Sequence, residues 1–334
     1  MARVGKVPVE LLERFVYGRT GAHDERVIVG PAYGEDAAIV QLDEKRVLVV
    51  HCDPITEAVA RVGWLAVHVA CNDVAVRGAK PQWLLTTILL PEGAEDAVLD
   101  RVTSDIHTAA REIGVTVIGG HTEWTPRLDR VIVVMTAIGI AERERVIRTS
   151  GARAGDLLLM TKGAGLEGTA ILAHDLRERL LEKGVSAEVV QRASLFLREI
   201  SIVPEALALA AVGATAMHDP TEGGLLGGVV EMAYAAQKRI DVFVDRVLIR
   251  SETRSICDAL RIDPLRLIGS GCLLATLPPK RLPAAQAELQ KLGVEFAVIG
   301  EVREGEGAWL HYADGRVERL PLFIEDEIGK AWAT

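Results

Sequence analysis

Asparagine is almost missing from this chain of 334 residues, because Asn72 in the stretch HVACNDVAVRGAKP (68–81) is the only one. Asparagine is thermolabile and is depleted in some thermophile proteins, so a single retained residue suggests a role that neither glutamine nor aspartate can fill. The alternative is an ordinary helix-end or turn residue. The interpretation of Asn72 therefore depends on the motifs around it.

Cysteine is scarce as well, and long apolar runs are missing. The four cysteines are Cys52, Cys71, Cys257 and Cys272. They form no CxxC pair, which argues against a disulfide framework or a zinc site and favours a reducing compartment. Cys52 and Cys71 have no histidine arranged for nucleophilic catalysis, so both are expected to be small buried residues. The start of the chain, MARVGKVPVELLERF, has no signal-peptide core, and no apolar run approaches 18 residues. Together these absences predict a cytoplasmic protein.

An excess of basic residues is also lacking. The chain has 38 Lys and Arg against 47 Asp and Glu, a net charge of −9, with no basic stripe to offset it. This charge argues against nucleic acid or a membrane surface as the partner. A polyanionic nucleotide still fits if Mg²⁺ bridges the repulsion. The composition, 49% apolar and 25% charged, is that of a soluble globular protein, and the length predicts two domains.

Strand and helix signals alternate along the first half of the chain. The β-branched runs at 46–52 and 130–140 predict strands, and the apolar stripe over 95–113 predicts a helix. The stretch VTVIGG (115–120) predicts a strand that stops at its two glycines. A polar break, RTSGARAGD (148–156), follows. We place the domain boundary there, with domains at 1–148 and 149–334.

The second half repeats the mixture of strands and helices. DLLLMTKGAGLEGTAIL (156–172) predicts a strand, a glycine-rich turn and a helix. Helices are also predicted near 222–237 and 280–293, and strands at IDVFVD, CLLATL and FAVIGEV. The predicted fold class is therefore a mixed α/β or α+β protein of two domains.

Acidic residues stand beside small residues at five points along the chain. The motifs are GPAYGEDAAIV with Asp36, VVHCDPIT with Asp53, CNDVAVRGAKP with Asp73, IGGHTE with His121 and Glu123, and MHDPTEGGLLGG with Asp219 and Glu222. Mg²⁺ prefers oxygen ligands, and glycines let backbone N–H groups approach phosphate oxygens. Each motif alone is common turn chemistry. Taken as a set, they predict a site for Mg²⁺ and phosphate, formed when folding brings them together.

The stretch TKGAGLEGT (161–169) lacks the GxxxxGK[ST] spacing of a P-loop, so that class of nucleotide site is excluded. Its glycines match a bare GxGxxG, but the acidic residue about 20 positions on, Glu188, lies in a charged helical region, which argues against a Rossmann site. A tight strand-to-helix turn and a phosphate contact both remain open for this stretch. His68, on an apolar stretch, is expected to be a core histidine.

The ordered motifs GEDAAIV, HCDPIT, NDVAVRGAKP, GGHTE, HDPTEGGL and GSGCLLA resemble those of the aminoimidazole ribonucleotide synthetase (PurM-like) superfamily over about residues 5–305. Within it the chain is most similar to the branch of the hydrogenase maturation factor HypE. The resemblance implies an N-terminal α/β domain that forms a homodimer through its sheet, and a C-terminal α/β domain. It also implies an ATP site between them and ATP-dependent phosphorylation of an amide or carbonyl oxygen.

The resemblance also implies roles for single residues. Asp36, Asp53 and Asp73 would hold Mg²⁺ and the ATP phosphates, with Asp53, Asp73 and Asp219 as the catalytic set. The residues expected to bind the nucleotide or line its cleft are Lys6, Asp36, Asn72, Gly119, Gly120, His121, Glu123 and Glu222. Lys6 would neutralise a phosphate, with a surface lysine as the alternative. Asn72 would orient Asp73 or a phosphate oxygen.

Three departures from the family pattern open alternatives. HypE proteins act through a cysteine at the extreme C-terminus, whereas this sequence ends DEIGKAWAT and its last cysteine is Cys272. His121 stands where many relatives have an acidic residue, so Glu123 is expected to replace it as a metal ligand, or one metal is lost. Glu222 stands where HypE commonly has arginine. The acceptor, a small molecule or a protein-borne group, stays unknown. The alternatives are a kinase like thiamine-monophosphate kinase, and a non-catalytic nucleotide-binding partner in a maturation complex.

Overall fold

The fold is seen in a computed structural model that describes residues 6–56 and 61–333. The first half forms a six-stranded sheet in the order β1-β2-β3-β6-β4-β5. The strands are β1 Val27–Val29, β2 Ala38–Gln41, β3 Arg46–Ile55, β4 Lys80–Pro91, β5 Thr116–Thr125 and β6 Ile132–Glu142. All neighbours are antiparallel except β4 and β5, which are parallel. Strand β5 is therefore an edge of this sheet.

The described part of this half contains the α-helices α1 Val9–Leu12, α2 Val62–Ala75 and α3 Asp96–Ile113, and a π-helix at Glu13–Tyr17. Helix α2 is buried along its whole length and contacts α3, the sheet and the second half of the chain. Helix α3 ends at Gly114, whose φ of +82° is a conformation that favours glycine. A buried helix that carries His68, Asn72 and Asp73 has to satisfy polar groups inside the protein, which makes α2 central to the site.

The second half forms a seven-stranded sheet in the order β13-β12-β9-β11-β7-β10-β8. Its strands are β7 Leu157–Thr161, β8 Ala216–His218, β9 Arg239–Phe243, β10 Leu274–Leu277, β11 Phe296–Arg303, β12 Gly307–His311 and β13 Val317–Arg319. Its helices are α4 Leu166–Asp175, α5 Arg177–Glu182, α6 Ala187–Ser194, α7 Val203–Val212, α8 Gly224–Ala236, α9 Ser251–Leu260, α10 Leu282–Lys291 and α11 Ile328–Ala333.

The apolar core forms two clusters. The larger one runs from the first sheet through α2 into helices α4, α6, α7 and α9, so the two halves share one core. The smaller one lies between α8 and the second sheet. This continuous packing orients the loops at the junction, where the predicted site residues lie. No described helix combines the length and apolarity needed to span a membrane.

Most predicted elements are confirmed, and two expectations are wrong. The strand predicted to stop at Gly120 continues to Thr125, because β5 pairs with β4 through the two glycines. Cys52 is exposed rather than buried, because the alternation of β3 turns Val47 and Val49 towards α2 and Cys52 away from it. His68 is buried as expected, with Nε2 3.2 Å from Glu112 Oε2. The boundary between 148 and 149 stays a prediction.

Candidate active site

Three carboxylates from three separate elements converge at the junction of the two halves. Asp36 precedes β2, Asp73 lies in the last turns of α2, and Asp219 follows β8. One oxygen from each lies within 4.8 Å of the other two. Asp73 and Asp219 are buried, at 6% and 1% exposure. The expected convergence of these motifs is confirmed for Asp36, Asp73 and Asp219.

This crowding opposes full ionisation of the cluster. Burial raises the pKa of Asp73 and of Asp219 well above the ordinary range, and the neighbouring carboxylates raise both further. Among the described residues, neither side-chain oxygen of Asp219 has a hydrogen-bond donor. Buried carboxylate oxygens at this spacing, with those of Asp219 lacking a donor in the described part of the chain, are the ligand set that a hard divalent cation such as Mg²⁺ takes. The residues therefore fit the predicted metal.

Strand β3 adds a fourth carboxylate to the same cleft. Its alternation places His51 and Asp53 on one face. Burial raises the pKa of Asp53, and the Glu222 charge adds to that rise. His51 Nε2 lies 3.3 Å from Asp73 Oδ2, and its Nδ1 contacts the backbone oxygen of Asp36. His51 thus joins two of the three clustered motifs, a role that the sequence did not indicate.

Arg77 fixes the loop that contains Asp36 through contacts with Glu35, Asp36 and Thr149. Its side chain is fully buried, with Nη1 3.1 Å from Glu35 Oε2 and Nη2 2.6 Å from Asp36 Oδ2. Nη2 also donates to Thr149 Oγ1 at 2.5 Å. Glu35 in turn accepts from the backbone N–H of Thr149 and of Ser150. The guanidinium therefore fixes the Asp36 carboxylate to the connection between the halves. Sequence reasoning missed Arg77, although it lies in the quoted motif NDVAVRGAKP.

A row of alternating charges leads from Lys6 to Asp36. Lys6 Nζ contacts Glu231 Oε1 at 2.5 Å, Glu231 Oε2 lies 2.9 Å from His218 Nε2, and His218 Nδ1 contacts Asp36 Oδ1. Burial alone would lower the pKa of His218, but Asp36 and Glu231 raise it to about 10. Burial would raise the pKa of Glu231, but Lys6 and His218 lower it to about 2. Glu231 is the single charge in the apolar helix α8, which was the available sequence signal.

These residues border a cleft of about 670 Å³, a volume within the usual range for small-molecule sites. Lys6, Asp53 and Glu222 line it together with the three clustered carboxylates. Gly34 brings the backbone close to α8, since its φ is +82° and a Cβ there would lie 2.6 Å from Glu231 O. A site with one lysine, four aspartates and a close backbone approach suits a metal-bound phosphate ester.

Two family models match this chain. Residues 34–141 match the model of the AIR synthase related protein, N-terminal domain, and residues 153–312 match that of its C-terminal domain. The chain belongs to the AIR synthase-related family. Its architecture is the two-domain α/β fold of that family, called PurM-like, and the predicted fold class is confirmed.

The relatives of this AIR synthase-related chain include proteins of hydrogenase maturation. It is 28% identical to a hydrogenase expression/formation protein of Methanocaldococcus jannaschii, covering 93% of this chain and 92% of that one. It is 33% identical to the carbamoyl dehydratase HypE of Azotobacter vinelandii, over 72% and 69% of the two chains. A solved structure of the maturation protein HypE in complex with ATP is 25% identical, with a TM-score of 0.69 over 98% and 97%. The predicted similarity to HypE is thus confirmed.

The GGHTE segment of the AIR synthase-related chain lies away from the cleft. Gly119, Gly120, His121 and Glu123 all belong to the exposed edge strand β5, and none lines the cleft formed by the described residues. His121 Nε2 bonds to Glu123 Oε2 at 3.0 Å, with 64% and 49% of the two side chains exposed. One chain therefore does not bring these residues to the cleft, and their expected place in it stays a prediction. Gly120 has a structural role, because a Cβ there would lie 1.8 Å from Thr86 O.

Asn72 is also not part of the cleft. Its Nδ2 donates to Ile200 O and its Oδ1 accepts from Ile202 N, both at 2.9 Å, and the side chain is fully buried. The expected contact with Asp73 or a phosphate is wrong, because the amide is occupied by a backbone segment of the second half. Glutamine is longer and aspartate has no donor, so neither could make both bonds. Asparagine is therefore required at this position, but its role is to join the two halves of the chain.

Proposed function

We propose that the protein is an ATP- and Mg²⁺-dependent enzyme that phosphorylates the carbonyl oxygen of an amide-type group and so activates it for a later step. The observation that supports this most strongly is the convergence of buried oxygens from Asp36, Asp73 and Asp219 within 4.8 Å. Arg77 and His218 offset the charge of Asp36, but the pKa values of Asp73 and Asp219 stay raised well above the ordinary range, so a further cation at the cluster would be favourable. The cleft beside it is large enough for a nucleotide and also contains Lys6.

Asp36, Asp73 and Asp219 would hold Mg²⁺, and Asp53 and Glu222 would lie within reach through water. The bound cation would supply charge neutralisation for the phosphates. Lys6 would face the same phosphates, because Glu231 and His218 keep it directed into the cleft. The pKa of Lys6 is raised, since Glu231 outweighs the lowering effect of burial, so the ammonium stays charged throughout the neutral range.

Similarity to carbamoyl dehydratase HypE supports an amide or carbamoyl group as the acceptor, and the HypE structure with ATP supports the nucleotide. Cys272 does not fit the role of a carrier of that group, since it is buried and burial raises its pKa to about 12. The acceptor is therefore proposed to arrive on a small molecule or on a protein partner of a maturation complex.

A homodimer is part of the same proposal. The edge strand β5 is exposed along nearly its whole length and presents Val117, Ile118 and Trp124, which are 39%, 55% and 55% exposed. Leu85 on the neighbouring strand β4, beside Gly119, is 38% exposed. An exposed apolar edge strand favours association, and a second copy of the chain is the partner that the family resemblance indicates. His121 and Glu123 would then lie at the interface.

Isotope transfer tests the activity directly. Purified protein is incubated with ATP, Mg²⁺ and S-carbamoyl-N-acetylcysteine or acetamide that carries ¹⁸O at the carbonyl. Phosphorylation of that oxygen followed by its loss places ¹⁸O in inorganic phosphate, whereas hydrolysis of ATP by solvent water does not. Asp73→Asn should abolish the transfer, and Asp100→Asn, at an exposed position on α3, should not. Phosphate release without ¹⁸O from either compound would contradict the amide acceptor.

A further inference from the structure

One buried carboxylate in the cleft is unused by the metal and phosphate site. Glu167 lies in the first turn of α4, is 4% exposed and lines the same cleft. Among the described residues, its Oε2 has no hydrogen-bond partner. A buried carboxylate is costly unless it is paired or protonated, so this residue requires an explanation. Sequence reasoning did not single it out, although it is part of TKGAGLEGT.

Close backbone packing holds Glu167 in position. The N–H of Gly168 donates to Ile268 O at 3.0 Å, and a Cβ on Gly168 would lie 2.4 Å from Leu267 Cγ. Gly269, the residue after Ile268, donates its backbone N–H to Thr221 O at 3.2 Å. The start of α4 is thereby joined to the segment that follows Asp219. These backbone hydrogen bonds therefore fix the position of Glu167 relative to the segment that contains Asp219, a proposed metal ligand.

Lys162, the cation of the same glycine-rich stretch, does not line the cleft. Its Nζ bonds to Glu199 O, Ser201 O and Glu205 Oε1, each at 2.7 Å, and the side chain is 9% exposed. The stretch is therefore a tight strand-to-helix turn, and its lysine is not directed at a phosphate. Glu167 is the charged side chain that this turn presents to the cleft.

Three apolar side chains line the same cleft as Glu167. Val69 and Ile171 are buried at 3% and 5%, and Ile268 is the third. Burial raises the pKa of Glu167 to about 7. Ser270 opposes the rise, while the charges of Asp326 and Asp53 add to it. Near neutral pH the carboxyl group therefore exists in both protonation states, as proton transfer requires.

The negative charge of Glu167 indicates that it contacts the acceptor substrate rather than the nucleotide. A carboxylate repels the phosphates of a nucleotide, and Glu167 is not in the cluster of Asp36, Asp73 and Asp219. An uncharged acceptor with an N–H group fits a cleft that offers these apolar side chains together with the Glu167 carboxylate. Ser270, which is also buried and lines the same cleft, adds a polar contact for such a group.

We propose that Glu167 is the catalytic proton acceptor for an uncharged amide or carbamoyl substrate bound against Val69, Ile171 and Ile268. The carbonyl oxygen of the substrate attacks the γ-phosphorus of ATP, the bond from that phosphorus to the bridging oxygen breaks, and ADP leaves. The substrate N–H proton passes to Glu167, and its electron pair forms the C=N bond of an O-phosphorylated imidate. The inference rests on the proposed function for the identity of the acceptor.

The experiment compares wild type, Glu167→Gln, Glu167→Asp and the exposed control Glu178→Gln. ADP formation is followed from pH 5.5 to 9 with ATP and Mg²⁺, with and without ¹⁸O-labelled S-carbamoyl-N-acetylcysteine. We expect Glu167→Gln to lower kcat about 100-fold or more and leave the KM for ATP unchanged, as loss of a general base does. Wild-type kcat should rise with pH through about 7. Glu167→Asp should regain part of kcat and keep a rising limb, whereas a packing role would give no such limb.

The outcomes separate this inference from the proposed function. Carbamoyl-dependent turnover that survives in Glu167→Gln overturns the role of Glu167 and leaves the function standing. Turnover with water alone that still requires Glu167 overturns the amide acceptor and with it the N–H transfer proposed here, and makes water the source of the proton that Glu167 accepts. An absence of ATP cleavage in wild type overturns both.

Discussion

Arg77 Nη2 lies 2.6 Å from Asp36 Oδ2, and this contact connects a fully buried guanidinium to the carboxylate cluster. The same guanidinium contacts Glu35, so one cation offsets two buried acids. A geometry with two acceptors on one side requires the planar fork of arginine, which lysine does not have. Arg77 therefore fixes the position of the Asp36 carboxylate before any ligand binds.

Arg77→Lys should destabilise the protein by about 2–4 kcal/mol, because one ammonium cannot serve both acids and a buried charge loses its partner. Urea unfolding without metal measures the loss. The matched control is Arg145→Lys, whose pair with Glu142 is exposed on both sides, and the expected change there is below about 0.5 kcal/mol. Equal effects of the two substitutions would contradict the assigned role of Arg77.

Asp73→Asn should have opposite effects on the metal-free and the ligand-bound protein. Removing one of the crowded carboxylates relieves repulsion, so the metal-free Tm should rise at pH 8. Since the folded-state pKa of Asp73 is raised, its stabilising contribution is lost as pH increases, and the advantage of the variant should grow from pH 5 to pH 8. The Tm increase on adding Mg²⁺ and ATP should vanish. Thermal melts check both effects, and an unchanged shift with ligand would refute the proposed metal site.

Asn72→Ala should weaken the joint between the halves without changing the site. Loss of the bonds to Ile200 and Ile202 leaves buried backbone groups without partners, at a cost of roughly 1–3 kcal/mol. Affinity for Mg²⁺ and ATP, measured by calorimetry below the unfolding range, should stay within about twofold. Gln191→Ala, at an exposed position on α6, is the control for stability. A large loss of affinity in Asn72→Ala would restore a direct role for Asn72 in ligand binding.

Glu167→Gln should stabilise the metal-free protein at alkaline pH. The pKa of Glu167 is raised from 4.5 to about 7, so its contribution to stability is full below pH 4.5 and lost as pH rises through 7. The variant should therefore gain up to about 3 kcal/mol over wild type above pH 8 and almost nothing near pH 4.5. Denaturant unfolding at several pH values tests this. The exposed control Glu178→Gln should show the same difference from wild type at every pH.

Ile118→Lys should convert a dimer into a monomer. A charge placed on the apolar edge strand β5 would have to be buried at the proposed interface, which is unfavourable. Sedimentation velocity should show wild type at twice the chain mass of 36.0 kDa and the variant at that mass. The control is Val317→Lys, because Val317 is 49% exposed on the other sheet's edge strand β13. A monomeric wild type, or dissociation by both variants, would rule out a β5 interface.

Short patterns in the sequence were sufficient to predict most elements and the convergence of Asp36, Asp73 and Asp219. Alternating apolar residues specify a strand, and the spacing of an apolar stripe specifies a helix, because each depends on local backbone geometry. The prediction failed for β5, where two glycines suggested an end. The pairing of β5 with β4 carries the strand on to Thr125, and a partner strand cannot be seen in local sequence.

The bonding partners of the buried polar side chains could not be predicted from the sequence. Arg77, His51 and Glu231 are spaced along the chain with no motif that joins them, and each has a role only through a contact formed on folding. Asn72 shows the same limit, because its sequence neighbour is Asp73 but its bonding partners are Ile200 and Ile202. Burial makes such contacts strong, and burial is a property of the packed chain.

By itself the sequence determined the family, the mixed α/β class and the set of acidic motifs, since these depend on residue identity and local order. Only the tertiary structure decided that Asn72 joins the two halves, that GGHTE lies on an exposed edge strand, and that Glu167 enters the cleft. The reason is physical: the protonation and bonding of a side chain depend on the solvent and charges removed or added around it, and packing alone sets those.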